Sequence, residues 1–155
     1  MSVYFFLGIF TLVVLDQFTK WLAITKLKPI HDYPIVDGVF HLTYVENRGA
    51  AFGILQGKKI LFIIITVIVM AFITVYYHKL PSGGKYNWMK FCLILIGGGA
   101  IGNLIDRIRL NYVVDFLYFK LIDFPVFNVA DICVVVGVAI LAVLILMTPE
   151  DEGFL

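Results

Sequence analysis

The chain has 155 residues, 61% of them hydrophobic and only 15% charged, with a formal net charge of +1 at pH 7. Too little polar surface remains to wet a soluble domain of this size, so the composition excludes an ordinary soluble enzyme and describes an integral membrane protein. The near-zero charge gives no sign of a nucleic-acid partner, and none is expected.

Four apolar stretches reach the roughly 20 helical residues needed to cross bilayer hydrocarbon. They lie at about 3 to 25, 59 to 77, 89 to 108 and 127 to 147. The first has no basic region in Met1-Ser2-Val3-Tyr4 and no small-residue cleavage site after Leu15, so it is read as a retained span rather than a secretory signal. Within it Asp16 and Lys20 stand at i and i+4, the spacing of an intrahelical ion pair, and mutual neutralisation accounts for both charges at membrane depth.

After Pro29 the pattern becomes extended, and Ile35 to Phe40 reads as a hairpin with an Asp37-Gly38 turn. Phe40, Leu42 and Tyr44 are then expected on one strand face, with His41, Thr43 and Val45 on the other. A small sheet at the membrane surface follows, its aromatic rings suited to the interface. Asn47 to Gly53 is a glycine-containing loop, for which structural and functional roles are both open.

The second span leads into a short link, His78 to Lys90, that carries Lys79, Lys85 and Lys90 with no acid. An even number of crossings puts both termini on the side of this link and the long connections, 26 to 58 and 109 to 126, on the other. That other side holds Lys26, Lys28, Arg48, Lys58, Lys59, Arg107, Arg109 and Lys120, so the positive-inside rule opposes a cytoplasmic N-terminus.

In the third span Gly99, Asn103 and Arg107 fall at i, i+4 and i+8, placing a small residue, an amide and a guanidinium on one helix face. Small residues alone would suit close helix packing. Arg107 asks in addition for a carboxylate or water beside it. Cys92 and Cys133 lie in separate spans without metal-type spacing and read as small buried hydrophobes. His31, His41 and His78 are scattered and form no metal set, so no metal or other cofactor is assigned.

Asp115, in Val114-Asp115-Phe116, and Asp131, in Phe127 to Asp131, stand near the ends of long apolar runs, where a lone carboxylate is unfavourable by about 2.5 to 3.5 kcal/mol. Pro125 breaks the chain before the fourth span, so Phe127 to Asp131 are expected in its first turn or two, with Asn128 and Asp131 pointing the same way. Asp131 by itself would serve as a helix cap or dipole partner. The acidic run Glu150-Asp151-Glu152 reads as a solvated end.

Facing each other across a water, Asp115 and Asp131 would provide what metal-free peptide hydrolysis needs, one carboxylate as base and one carboxyl as acid. A serine nucleophile does not compete, since Ser occurs only at positions 2 and 82. A proton-coupled transporter would also bury carboxylates and an arginine, but no internal repeat or broken helix pair is visible. A membrane scaffold predicts instead that neutralising either aspartate costs no activity.

Five blocks, Asp16 to Lys20, Asn47 to Gly53, Gly99 to Arg107, Val114 to Phe116 and Phe127 to Asp131, resemble in content and order the bacterial lipoprotein signal peptidases, also called signal peptidase II. The resemblance spans nearly the whole chain and implies one integral membrane peptidase domain over 1–155. Its fold would be four transmembrane helices with an extracytoplasmic β-cradle and a second extracytoplasmic loop. The location would be the bacterial cytoplasmic membrane, with both termini in the cytoplasm and the active site outside.

It also implies that Asp115 and Asp131 are the catalytic dyad of an aspartic endopeptidase acting on diacylglyceryl-modified prolipoproteins and cutting before the lipidated cysteine. On the same basis Asn47, Gly99, Asn103, Arg107 and Asn128 line the dyad, while Asp16 and Lys20 support it. Arg48 falls where the motif is permissive and is left out. The expected partners are prolipoprotein substrates and membrane lipid, and the expected state is a monomer. The sheet segment and the aromatic stretch Tyr112 to Phe119 are placed to clamp the substrate peptide.

Overall fold

A computed structural model describes residues 2–49 and 57–147, so Ala50 to Gly53 of the expected loop and the acidic run 150–152 lie outside the described residues. Among the described residues, four helices are long and apolar enough to cross a membrane. They are α1 (Ser2–Leu22), which continues as a π-helical turn Ala23–Leu27, α2 (Lys59–Lys79), α3 (Gly84–Leu110) and α4 (Val129–Leu146). Helices are required here because hydrocarbon offers backbone groups no water, and a helix satisfies them within its own segment.

The distribution of polarity is inverted relative to a soluble bundle. Phe6, Phe10, Ile60, Phe72, Val135 and Leu146 face outward, while Asp16, Lys20, Asp106 and Asn128 are buried. α3 is the central helix and packs on each of the other three. Its glycines make this possible: a Cβ at Gly98 would lie 2.8 Å from Leu12, and one at Gly99 would run into the carbonyl oxygen of Ala130. At one end Phe5, Ile9, Ile73, Tyr77 and Leu93 form a shared core, so the start of α1, the end of α2 and the first half of α3 lie together.

The span limits differ from expectation mainly at α3, which starts at Gly84 rather than near 89. Gly83, with φ of 108°, turns the chain, and its N–H donates to the Asn87 side chain (3.1 Å), so polar residues extend the helix past its apolar run. Asn111, in the left-handed conformation with φ of 66°, closes α3 and accepts from Lys59 Nζ at 2.8 Å.

An antiparallel sheet of order β1-β2-β3 sits on the opposite end of the bundle from that shared core, built from β1 (Asp32–Val36), β2 (Phe40–Asn47) and β3 (Val113–Phe119). The hairpin forms at Asp37-Gly38 as expected, with Gly38 at φ of 71° and Val39 N donating to Val36 O at 3.0 Å. Pro34 is tolerated because β1 is an edge strand.

Two features depart from the sequence expectation. The pairing register shifts between Leu42 and Val45, so the strict alternation fails and the buried residues of β2 are His41 and Tyr44. The second connection is not only a loop, since Val113–Phe119 pairs with β2, placing Val45 opposite Asp115 and Asn47 opposite Val113. The sheet rests on the bundle through Ala23, Leu27, Tyr44, Val114 and Phe116.

Candidate active site

Asp115 is carried by β3 and Asp131 by the first turn of α4, so the site forms where sheet and bundle meet. Asn128 caps α4: its Oδ1 accepts from Asp131 N (2.9 Å), and Asp131 Oδ2 accepts from Asn128 N (3.2 Å), a reciprocal capping box. The same Asn128, fully buried, turns its Nδ2 to Asp115 Oδ1 at 2.6 Å. One side chain thereby contacts both carboxylate-bearing elements. Phe127 precedes the helix rather than belonging to its first turn, because it bridges back to Leu117 of β3.

The remaining oxygens are also engaged. Asn47 Nδ2 donates to Asp115 Oδ2 (2.9 Å), and Asn103 Nδ2 donates to Asp131 Oδ1 (2.8 Å). Asp115 is 2% exposed, and its carboxyl is pushed up to about 7, mainly by burial and further by the charge of Asp131, against the donors Asn47 and Asn128 and the more distant Lys20.

Behind the two aspartates lies a second polar layer. Lys20 Nζ contacts Asp16 Oδ2 (3.0 Å), Asp106 Oδ2 (3.0 Å) and Asn103 Oδ1 (2.7 Å). The i,i+4 pair expected in α1 is present, but Asp106 shares its cation. Gln17 Nε2 adds a donor to Asp106 Oδ1 (2.9 Å) and to Gly102 O (3.2 Å). Gly102 leaves space for the Asp16 carboxylate, which a Cβ at that position would meet.

Asp106 and Gln17 were not among the residues singled out from the sequence. The signal for Asp106 was available: Gly99, Gly102, Asn103 and Asp106 fall at i, i+3, i+4 and i+7, one continuous stripe of α3. All the other expected residues, Asp16, Lys20, Asn47, Gly99, Asn103, Arg107 and Asn128, gather at this junction.

Arg107 is held differently from expectation. Instead of pairing directly with a carboxylate among the described residues, it donates to the carbonyls of Gly49 and Asn103 (both 3.3 Å) and lies 4.4 Å over the Phe62 ring. Arg48, left aside in the sequence, extends at the rim toward Glu46 (3.5 Å) and over Tyr112. A cavity of about 790 Å³ collects Asn47, Arg107, Asp115 and Asp131 at its polar end and runs along Phe124, Val135 and Val136 on its apolar side. Val135 and Val136 are exposed on the lipid-facing surface of α4.

A family model described as signal peptidase (SPase) II matches residues 8–147. The chain belongs to the signal peptidase II family. Its relatives include a lipoprotein signal peptidase of Caldanaerobacter subterraneus subsp. tengcongensis, 57% identical over 135 residues that make up 86% of this chain and 90% of the relative. Another, from Halothermothrix orenii, is 49% identical over 148 residues, 96% of this chain and 98% of the relative. A bacterial membrane enzyme solved by the in meso method at 2.3 Å resolution is similar in structure with a TM-score of 0.85 and 32% identity, over 96% of this chain and 91% of that one. As a signal peptidase II family member the chain is a multi-pass membrane peptidase.

Proposed function

We propose that this chain is an aspartic endopeptidase, working as a single domain, that removes the signal peptide from diacylglyceryl-modified prolipoproteins by cutting before the lipidated cysteine. The observation that carries the mechanism is the pair Asp115 and Asp131, joined through Asn128 at the polar end of one cavity. The kinship with lipoprotein signal peptidases supports the substrate class.

The two acids take different parts because their surroundings differ. Asp131 sits in the first turn of α4, where its two oxygens accept from Asn103 Nδ2 and from the Asn128 backbone N–H. Asp115 holds its proton to about pH 7. Asp131 therefore takes a proton from water as the water attacks, and Asp115 polarises the scissile carbonyl by hydrogen bonding. Collapse of the tetrahedral intermediate returns a proton to the leaving amine and restores the shared-proton state of the pair.

The apolar side of the cavity along α4 suits the substrate's acyl chains, whose burial is worth about 0.8 kcal/mol per methylene. β2 and β3 border the polar end and are placed to hold the peptide in an extended form. Both termini then lie in the cytoplasm and the sheet outside, at the surface of the bacterial cytoplasmic membrane. A monomer suffices as the working unit, since Asn47, Asn103 and Asn128 of the same chain supply the side-chain donors to both aspartates.

The deciding experiment is a gel-shift cleavage assay on a prolipoprotein with and without prior diacylglyceryl transfer. Wild type is expected to cut only the lipidated form, and Asp115→Asn and Asp131→Asn, each folded, are expected to lose about 100- to 10,000-fold in rate. Turnover surviving in either variant removes that residue from the dyad. Equal cleavage of the unlipidated form removes the lipid requirement.

A further inference from the structure

We infer that Asp106 is a positioning residue for the dyad, because Lys20 ties it to Asp16 and each of these two carboxylates accepts the backbone N–H of the residue directly before one catalytic aspartate. The inference rests on the dyad proposed above. Asp106 Oδ2 accepts from Val114 N at 3.0 Å, and Asp16 Oδ1 accepts from Ala130 N at 3.1 Å. Val114 precedes Asp115, and Ala130 precedes Asp131. One ammonium, 3.0 Å from both supporting carboxylates, therefore spans from the strand that carries one acid to the helix that carries the other.

The arrangement has little slack. Asp16, Lys20 and Asp106 are all buried, and Gly102 is cut back to the backbone where a Cβ would strike Asp16. The hydrogen-bond partners of Asp106 are all donors, Lys20, Gln17 and the Val114 amide, and the other charges facing it are the Asp16 carboxylate across Lys20 and the Arg107 guanidinium. Gln17 is held in turn by Arg109 Nη1, which donates to its Oε1 at 3.3 Å. Asn103 joins the two layers, since its Oδ1 accepts from Lys20 while its Nδ2 donates to Asp131. A shift of Asp106 is therefore passed through one peptide unit to Asp115, and through Lys20 and Asp16 to the start of α4. None of these supporting groups needs to touch substrate.

Positioning of this kind predicts a particular kinetic pattern. The full-length protein in detergent, acting on a diacylglyceryl prolipoprotein, is assayed for kcat and KM across pH as wild type, Asp106→Ala and Asp106→Asn. Asp106→Ala is expected to lose about 10- to 100-fold in kcat with KM within about twofold, the scale of a small misplacement of reacting groups. Its pH profile is expected to be displaced, because the titration of two close acids depends on their separation.

Asp106→Asn keeps an oxygen for the Val114 N–H and Lys20 Nζ and gives up only the acceptor used by Gln17, so this variant is expected to recover most of kcat and the wild-type profile. An undisplaced profile in Asp106→Ala, or an Asp106→Asn as impaired as Asp106→Ala, overturns the inference. Should Asp106→Ala fail to fold, Asp106→Glu carries the test. It keeps a negative charge for Lys20 but moves the acceptor away from Val114 N, so a displaced profile supports positioning and a wild-type profile overturns it. Dead Asp115→Asn and Asp131→Asn variants beside an undisplaced Asp106→Ala remove Asp106 alone. Activity in either dyad variant overturns both readings.

Discussion

Asn128 does two things at once, capping α4 through its oxygen and holding Asp115 through its nitrogen. Replacement by Ala is expected to lower stability by about 1 to 2 kcal/mol for the lost cap and to lower activity at least about tenfold. Asn128→Ser restores a cap oxygen but cannot donate in the same place, so thermal melts should recover while cleavage rates do not. Asp115 adds a pH dependence whose sign is fixed by its surroundings. Its folded carboxyl titrates at about 7 against an ordinary 3.8, so between those values the folded state holds the proton more tightly and stability falls as pH rises. Asp115→Asn is expected to exceed wild type by up to roughly 4 kcal/mol above pH 7, with the gap closing below about pH 4, as read from denaturation across pH. The two aspartates stood out in the sequence because each lies near the end of an apolar run with no Lys or Arg within four residues, unlike Asp16 with Lys20. Asp106 is easily passed over despite its place on the Gly99-Gly102-Asn103 stripe, since an acid directly before Arg107 near the end of a span looks like any solvated helix terminus.

α3 and α4 approach backbone to backbone at Gly99, where an added Cβ meets the Ala130 carbonyl and lies 2.8 Å from the Val134 side chain. Backbone cannot turn aside as a side chain can, so Gly99→Val is expected to push α4 outward, destabilise by about 1 to 3 kcal/mol and slow cleavage by carrying Asp131 with it. A melt and a rate on the same preparation check both parts. The glycine was readable as a close approach, and the hairpin was readable from Asp37-Gly38 because that turn demands positive φ at its glycine. The third strand was harder to see. Val113, Val114, Asp115 and Phe116 are buried in succession, so β3 shows no two-residue period. The register shift in β2 was equally invisible, because it depends on how β3 pairs with it.

For the molecule as a whole, four spans were legible from length and apolarity alone, whereas their orientation was not, because the basic residues crowd the side that carries the sheet. A cysteine at Val39, near the hairpin tip, is expected to react with a membrane-impermeant maleimide on intact protoplasts, and one at Lys79, at the far end of α2, only after lysis. Both would be made with Cys92 and Cys133 replaced. The opposite pattern would invert the proposed topology. The charges buried around Lys20 also bear on how the chain enters the membrane. α1 is made first and carries Asp16 with Lys20 one turn away, while α3 follows with Asp106 beside Arg107. Each helix therefore brings one of these acids and one of these bases, so neither pair adds net charge to the bilayer, which lowers the cost of insertion. Once both are inserted the partnership changes: Lys20 is divided between two acids, and Arg107 is left facing the cavity. A chain halted before α3 would therefore hold Lys20 against Asp16 alone, and the second acid on that ammonium arrives only with α3.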